Sequence, residues 1–405
     1  MSKPKARPVW LTKNLVTLSW VSFLQDAASE MLYPLLPILL NTIFGAPAAV
    51  VGAIEGAAEG AAALTKLFSN RLNRFISRKG LIGYGYSLAA VGKLLVAVAG
   101  SWPMALFARV VDRLGKGLRS APRDAVLLNG VDSTHKGRTI GFHRTADTLG
   151  AVLGPSLALL LLAVFNNDVR PILWIAVIPG VLSALFVIRV RDKEPVKPTK
   201  SAIDASQGQD LKSAKDSPLS SDLKRSIGLV AVFSLVNFPD ALVLLHLSQV
   251  GFGLTTVVAL YLLFNVSYAA LSFPVGALAD RFKPNQIFAF GLLCFATAYI
   301  GLAYSGKSFL SVLLVVIYGG FAACQDTVGK TWVAKQAPAH QQLAAQAFLQ
   351  GFSGISVLIA GLWAGLVWTL GSGLGSVPLA VAGLMGVLVA VLIYRAKPRN
   401  SQPPT

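Results

Sequence analysis

The sequence predicts an all-α membrane protein of twelve transmembrane helices, arranged as two pseudo-symmetric six-helix bundles. Three observations predict it. Hydrophobic residues fill 54% of the 405 positions and charged residues only 13%, where a soluble domain carries about a quarter charged. The apolar residues fall in runs of roughly 20, each long enough to cross a bilayer core about 30 Å thick as a helix. The breaks between runs are short, and alternate breaks are basic. This pattern excludes a soluble two-domain enzyme, a disordered chain, a coiled coil and a secreted disulfide scaffold.

The elements follow in order. The first six spans are read over 15–43, 47–69, 81–99, 103–123, 139–164 and 171–190, and the second six over 226–249, 255–279, 286–304, 309–331, 343–369 and 377–394. Residues 191–225, rich in Lys, Asp, Ser and Pro and without apolar periodicity, cannot bury enough surface to fold. They are read as a disordered cytoplasmic linker, so the expected domains are 1–190, the linker 191–225, and 226–405. A shift of 207 residues lays Ser69–Arg74 over Gly276–Arg281, and parallel six-helix repeats of this kind put a binding site between the halves near midplane. The basic start leads straight into span 1 with no small-residue cleavage site, so it is read as a retained first helix and not a signal peptide.

Charge sets the orientation. With both termini inside, the inner segments hold Lys3, Lys5, Arg7, Lys13, Arg71, Arg74, Arg78, Lys79, Lys136, Arg138, the basic residues of the linker, Arg281, Lys283 and Arg395; the outer loops offer only Arg170 and Lys307. That asymmetry is the positive-inside signal, and an odd number of spans would destroy it. The net charge of +18 is accounted for by these flanking residues, so no nucleic-acid partner is expected. Cys294 and Cys324 both sit in apolar runs and read as buried, inert thiols. Short loops and the lack of a targeting segment point to a bacterial inner membrane, and a monomer is expected.

Local motifs sharpen the reading. After span 8 comes Gly276-Ala277-Leu278-Ala279-Asp280-Arg281; its counterpart after span 2 has Ser69 for the Gly and Asn73 for the Asp but keeps Arg74. Span 4 carries Leu106-Phe107-Ala108-Arg109 with Gly115, and span 5 carries Gly150-Ala151-Val152-Leu153-Gly154-Pro155 without a following double glycine. On these residues the whole chain resembles the major facilitator superfamily, in a bacterial branch of proton-antiporter-like drug and metabolite transporters. The resemblance implies a buried Arg at Arg109, an antiporter-type motif at Gly150, Gly154 and Pro155, and a conformational loop signature at Gly276, Asp280 and Arg281. It also implies that helices 1, 4, 7 and 10 surround a central cavity.

An ionisable residue inside a membrane must face a partner or a wet cavity. Span 1 carries Asp26 and Glu30, four apart and so on one face near midplane; span 2 carries Glu55 and Glu59 with the same spacing. Span 3 has Lys93. Span 4 has Arg109, Asp112, Arg113, Lys116, Arg119 and Arg123; span 5 has His143, Arg144 and Asp147; span 7 has Asp240 and His246; span 10 has Asp326 and Lys330. One reading makes Asp26 or Glu30 the proton-exchanging acid, tuned by Arg109 or Arg113. The other makes these charges fixed interhelical pairs. Gly52, Gly56 and Gly60 form a small-residue packing stripe, and Tyr261, Phe264, Asn265 and Tyr268 read either as an aromatic cavity wall or as plain packing.

Nothing here reads as an enzyme. Gly329-Lys330-Thr331 has Cys324 where a phosphate loop needs its upstream glycine, no soluble segment is large enough for an ATPase, and no cofactor or metal is expected. The expected function is therefore a secondary active transporter, driving proton-coupled efflux of small lipophilic or amphipathic molecules by alternating access. The alternative is a transporter of an anionic or siderophore-like metabolite held by the basic column Arg109, Arg113 and Lys116.

Overall fold

A computed structural model describes residues 11–73, 75–128, 136–191, 220–325, 328, 332–333, 342–370 and 375–395. Every element over these residues is helical. Helix α1 (Lys13–Leu32) starts where the Thr12 hydroxyl accepts from the Leu15 amide, the usual way to satisfy one orphan N–H of a first turn. Pro34 and Pro37 then remove donors from the ladder, and the chain passes through a 3-10 turn at Tyr33–Leu35 and a π turn at Leu39–Ile43. Next come α2 (Ala48–Leu72), α3 (Arg78–Val98), α4 (Trp102–Leu128), α5 (Lys136–Val164) and α6 (Val169–Phe186). Ser77 caps α3 and Asp168 caps α6.

The second half repeats the scheme. Helix 7 is broken into α7a (Ser221–Ser234) and α7b (Asp240–Gln249), with Pro239 at the restart. The Leu235 carbonyl freed by the break accepts from the Trp363 indole at 2.7 Å. Then follow α8 (Leu254–Arg281), α9 (Pro284–Ser305), α10 (Phe309–Cys324), α11 (Gln342–Leu370) and α12 (Ser376–Arg395). Spans 1 and 7, expected to be continuous, are thus each interrupted at prolines.

Among the described residues eight helices are long and apolar enough to cross a membrane: α2, α3, α5, α6, α8, α9, α11 and α12. The four that fall short are helices 1, 4, 7 and 10. Prolines divide 1 and 7, charges crowd 4, and the described part of 10 has 16 residues.

By contact the chain groups into two compact units. One is Met1–Ala46, Ala57–Asp192 and Gly253–Leu262; the other is Pro47–Gly56, Lys193–Phe252 and Leu263–Thr405. Within the first, α1 packs on α5 and α6, and α3 packs on α4 and α6; within the second, α7a packs on α11, and α9 packs on α10 and α12. Moving each index by six converts 1–5, 3–4 and 3–6 into 7–11, 9–10 and 9–12, so each unit is built by the same internal rule.

Packing in each unit follows from small residues and buried aromatics. In the first, Leu15, Leu18, Val21, Ile82, Tyr86, Val126, Leu127, Val187 and Val190 form a buried cluster. In the second, Phe233 stands edge-on to Phe288, Phe295 and Phe321. Large apolar side chains such as Leu160, Ile178, Leu384 and Leu388 point outward, as a lipid-facing surface requires.

Candidate functional site

The first unit concentrates the charged residues, and its geometry begins with α5. Gly150 and Gly154 lie so close to α1 that a Cβ at Gly150 would sit 2.6 Å from the Phe23 carbonyl oxygen and 3.2 Å from the Asp26 Cβ. At Gly154 it would sit 2.6 Å from the Ala27 oxygen and 2.9 Å from the Glu30 Cβ. Only glycine permits this approach. The motif of span 5 therefore seats the helix that carries the acid pair, one glycine opposite each acid.

Both residues of the pair are half-buried. Glu30 Oε2 accepts from the Tyr261 hydroxyl of α8 at 2.5 Å. The Tyr261 ring lies 5.5 Å from that of Tyr33, and the Arg109 guanidinium lies 5.9 Å from the Tyr33 ring, within reach of a cation–π attraction. Asp26 feels the charges of Asp147, Arg119, Glu30 and Arg123.

Helices α3 and α4 hold a buried ionic group. Lys93 Nζ is 2.8 Å from Asp112 Oδ1, and Arg109 Nη1 is 3.4 Å from Asp112 Oδ2, with side chains only 3–4% exposed. One turn on, Arg113 Nε is 3.3 Å from Glu59 Oε1. Arg109 and Arg113 are thus ion-paired to Asp112 and Glu59, where the sequence suggested either as a tuner of Asp26 or Glu30. Lys116 is exposed in mid-helix and feels Arg113, Glu59 and Asp26. A lysine inside an apolar span requires an acid partner, and Asp112 was the nearest acid in span 4, a signal from which the pair could have been read.

Towards the N-terminal third of α1 the polar residues continue. The Arg123 guanidinium donates to Ser22 Oγ at 3.0 Å, and His143 Nδ1 lies 3.3 Å from Ser19 Oγ. His143 Nε2 lies 3.7 Å from Asp147 Oδ1. Arg119 stacks over the Tyr86 ring at 4.4 Å. Ser19, Ser22 and Tyr86 carried no sequence signal, because a serine or tyrosine in a span is ordinary until its neighbour is known. Arg144, expected among these groups, is exposed.

The other unit holds Asp240 and Glu55. Asp240 opens α7b and accepts from the Tyr318 hydroxyl; the Tyr299 hydroxyl lies 3.3 Å from that of Tyr318. Phe264 stacks on Tyr318 at 5.1 Å, and Phe238 lies 5.1 Å from Tyr299 and 6.2 Å from Trp363. Glu55 is almost fully buried, where Gly52 and Gly56 meet Leu242, Gly361 and Leu358. The His246 Nε2–H donates to the Leu302 carbonyl at 2.9 Å and its ring stands edge-on to Trp368, while its Nδ1 is buried without a hydrogen-bond partner among the described residues.

Asp26, Glu30, Glu59, Arg109, Arg113, Lys116, His143 and Asp147 thus share the first unit, whereas Asp240 and Glu55 lie in the second. Arg74, Asp326 and Lys330 lie outside the described residues, as do the side chains of Asp280 and Arg281 at the end of α8, the helix that also contains Gly276. Pro155 sits inside α5 beside Gly154. Among the described residues no group of three or more His, Cys, Asp or Glu side chains is placed to hold a metal ion.

Comparison with known proteins gives consistent relatives. A transporter of the major facilitator type from Methanocaldococcus jannaschii, itself uncharacterised, is 29% identical over 388 residues, 93% of this chain and 94% of that one. Among solved structures, the nucleoside transporter NupG superposes with a TM-score of 0.77 over 95% of this chain and 100% of that one, at 13% identity. A peptide transporter of the POT family superposes at 0.73 over 94% and 93%, at 15% identity. At such identities the structural likeness speaks for the fold. The model of the Major Facilitator Superfamily matches residues 18–262 and 226–405, so the chain belongs to that superfamily and is a multi-pass membrane transporter.

Proposed function

We propose that this transporter exports small amphipathic molecules in exchange for protons. The carrying observation is the placement of Asp26: a half-buried acid near mid-span, within electrostatic reach of Asp147 and of the cations Arg119 and Arg123, on a helix seated by the motif glycines. Two carboxylates in one low-dielectric space are reconciled by a proton or by a cation. Either occupant changes the charge between α1, α4 and α5. That is the differential interaction a conformational equilibrium needs in order to respond. Export follows from the likeness of Gly150, Gly154 and Pro155 to the antiporter motif. In this reading the halves 1–190 and 226–405 rock about the linker 191–225, the termini face the cytoplasm, the membrane is a bacterial inner membrane, and the monomer is the working unit.

The anion reading draws on Lys116, exposed in the middle of α4. It is the weaker one, because Arg109 and Arg113 are engaged with Asp112 and Glu59 and do not present a paired clamp.

Reconstitution into liposomes with a trapped pH dye tests the choice. Under an imposed pH gradient, a panel of amphipathic cations and organic anions is screened with wild type, Asp26→Asn and Arg113→Ala. Cargo-dependent proton movement that disappears in Asp26→Asn is the expected result. Uptake that ignores the pH gradient and requires Arg113 would replace this reading with the anion facilitator.

A further inference from the structure

The cluster at the Ser19 end of α1 contains four buried polar atoms without a hydrogen-bond partner among the described residues. They are the Tyr86 hydroxyl, Arg119 Nη1, His143 Nε2 and Asp147 Oδ1. Tyr86 is 0%, His143 3% and Arg119 6% exposed. Such atoms are costly inside a protein and uncommon singly. Four together, contributed by α3, α4 and α5 in one unit, call for a common explanation.

Their polarity supplies it. Arg119 and Tyr86 offer hydrogen-bond donors, Asp147 offers an acceptor, and His143 Nε2 is either, according to tautomer. An anion would answer only the donors, and a metal cation only the acceptors. Water answers both, and a buried site with several polar partners is where it binds. The His143–Asp147 separation of 3.7 Å is too long for a direct hydrogen bond and short enough to become an ion pair once the imidazole gains a proton.

Asp26 lies within electrostatic reach of the cluster. That carboxylate feels Asp147, Arg119 and Arg123, and Arg123 reaches Ser22 while His143 reaches Ser19. From Asp26 to Ser19 is seven residues along α1, about 10 Å at 1.5 Å per residue. His143 faces Arg144 and Asp147 on its own helix, Arg123 and Asp124 on α4, and Ser19 on α1.

We propose that Tyr86, Arg119, His143 and Asp147 enclose a hydrated chamber that passes protons between Asp26 and the Ser19 end of the bundle. The hydration stands by itself; the proton step rests on the proton-coupled reading above. A proton leaving the Asp26 carboxyl passes through water, each molecule accepting one proton as it gives up another, to the Asp147 carboxylate. It then moves to His143 Nε2, forming an imidazolium beside the restored carboxylate, and leaves towards Ser19. The fixed charges of Arg119 and Arg123 disfavour a free hydronium, so the proton rests on a carboxyl or on the imidazole.

Two measurements on the full chain in liposomes decide the matter without knowledge of the cargo. In hydroxyl-radical footprinting from short X-ray pulses, bound water labels its neighbours. Tyr86 is expected to be oxidised at least about tenfold faster than Tyr299, which is equally buried in the other unit. Equal rates would mean a dry cluster and overturn the chamber. In time-resolved infrared spectroscopy after a pH jump, the protonated-carboxyl band that Asp26→Asn removes is expected to rise about tenfold more slowly in Asp147→Asn and in His143→Gln, in the latter with its amplitude kept. An unchanged rate overturns the route. Were Asp26→Asn to leave the band intact, the proton-coupled reading would fall instead, while the footprinting would still decide the chamber.

Discussion

Replacing Asp112 by Ala tests whether the buried ionic group of α3 and α4 is a neutralised structural unit. The Asp112 carboxylate lies 2.8 Å from the Lys93 ammonium and 3.4 Å from the Arg109 guanidinium, and all three side chains are only 3–4% exposed. Alanine removes the anion and leaves two cations buried beside each other. Breaking a buried pair from one side costs about 3–5 kcal/mol. Polar groups in a bilayer find substitute partners even when helices separate, which places the expectation near the lower end, about 3 kcal/mol. That is about two decades in the folded-to-unfolded ratio. Lys93→Met is expected to cost less in the wild type, because Asp112 keeps Arg109. In the Asp112→Ala background the same change removes an uncompensated ammonium and is expected to stabilise by about 1 kcal/mol or more, a coupling of the size found between residues in one ionic network. The assay is a double-mutant cycle on reversible unfolding in mixed micelles. A Lys93→Met effect of the same sign and size in both backgrounds would refute the reasoning.

Two further expectations can be checked in the same micelles. Gly154→Leu forces atoms into a place where even a Cβ would lie 2.6 Å from the Ala27 oxygen and 2.8 Å from the Met31 nitrogen. It should destabilise by about 1–3 kcal/mol or more, whereas Gly100→Ala, whose Cβ meets nothing within 4 Å, should stay within about 0.5 kcal/mol of wild type. Tyr261→Phe removes the donor that Glu30 accepts from at 2.5 Å, and a hydrogen bond to a charged group is worth about 1.5–3 kcal/mol. Glu30→Gln keeps an acceptor oxygen for that hydroxyl and should cost less; thermal midpoints of the three proteins rank the effects.

The span pattern was legible because the bilayer imposes one length and one polarity on every crossing. The interruptions were less so. Pro34, Pro37 and Pro239 stand in plain view, yet a run of apolar residues hides whether a neighbouring side chain rescues the freed carbonyl, as Trp363 does for Leu235. The acid pair of α1 was legible from its i, i+4 spacing alone. Its partners were not, since they depend on which helices pack together: Arg109 turns to Asp112, three residues along its own helix, and to the same carboxylate that holds Lys93. The close seating of Gly150 and Gly154 on α1 gives the span 5 motif a physical meaning that spacing could not supply.

The helices least suited to lipid also show the least of themselves to it. Of its large apolar side chains α4 exposes only Trp102 and Phe107, the helical turns of α1 up to Leu32 only Trp20, and α7a and α7b together only Val232. Helix α12, by contrast, exposes Val377, Val381, Leu384, Met385, Leu388, Val391, Leu392 and Tyr394. A charge or an unpaired carbonyl facing hydrocarbon costs several kcal/mol, so helices rich in either must be shielded by neighbours or open to water. Helix α10 departs from the rule, with Phe309, Leu310, Leu313 and Ile317 exposed near its start. In sequence, the polar candidates Asp326 and Lys330 of span 10 come after this stretch. Polarity therefore sorts the helices twice, once in sequence by their failure to make a clean span, and once in space by their withdrawal from the outer surface. The two sortings agree for helices 1, 4 and 7, which fail as clean spans and show few large apolar side chains at the surface.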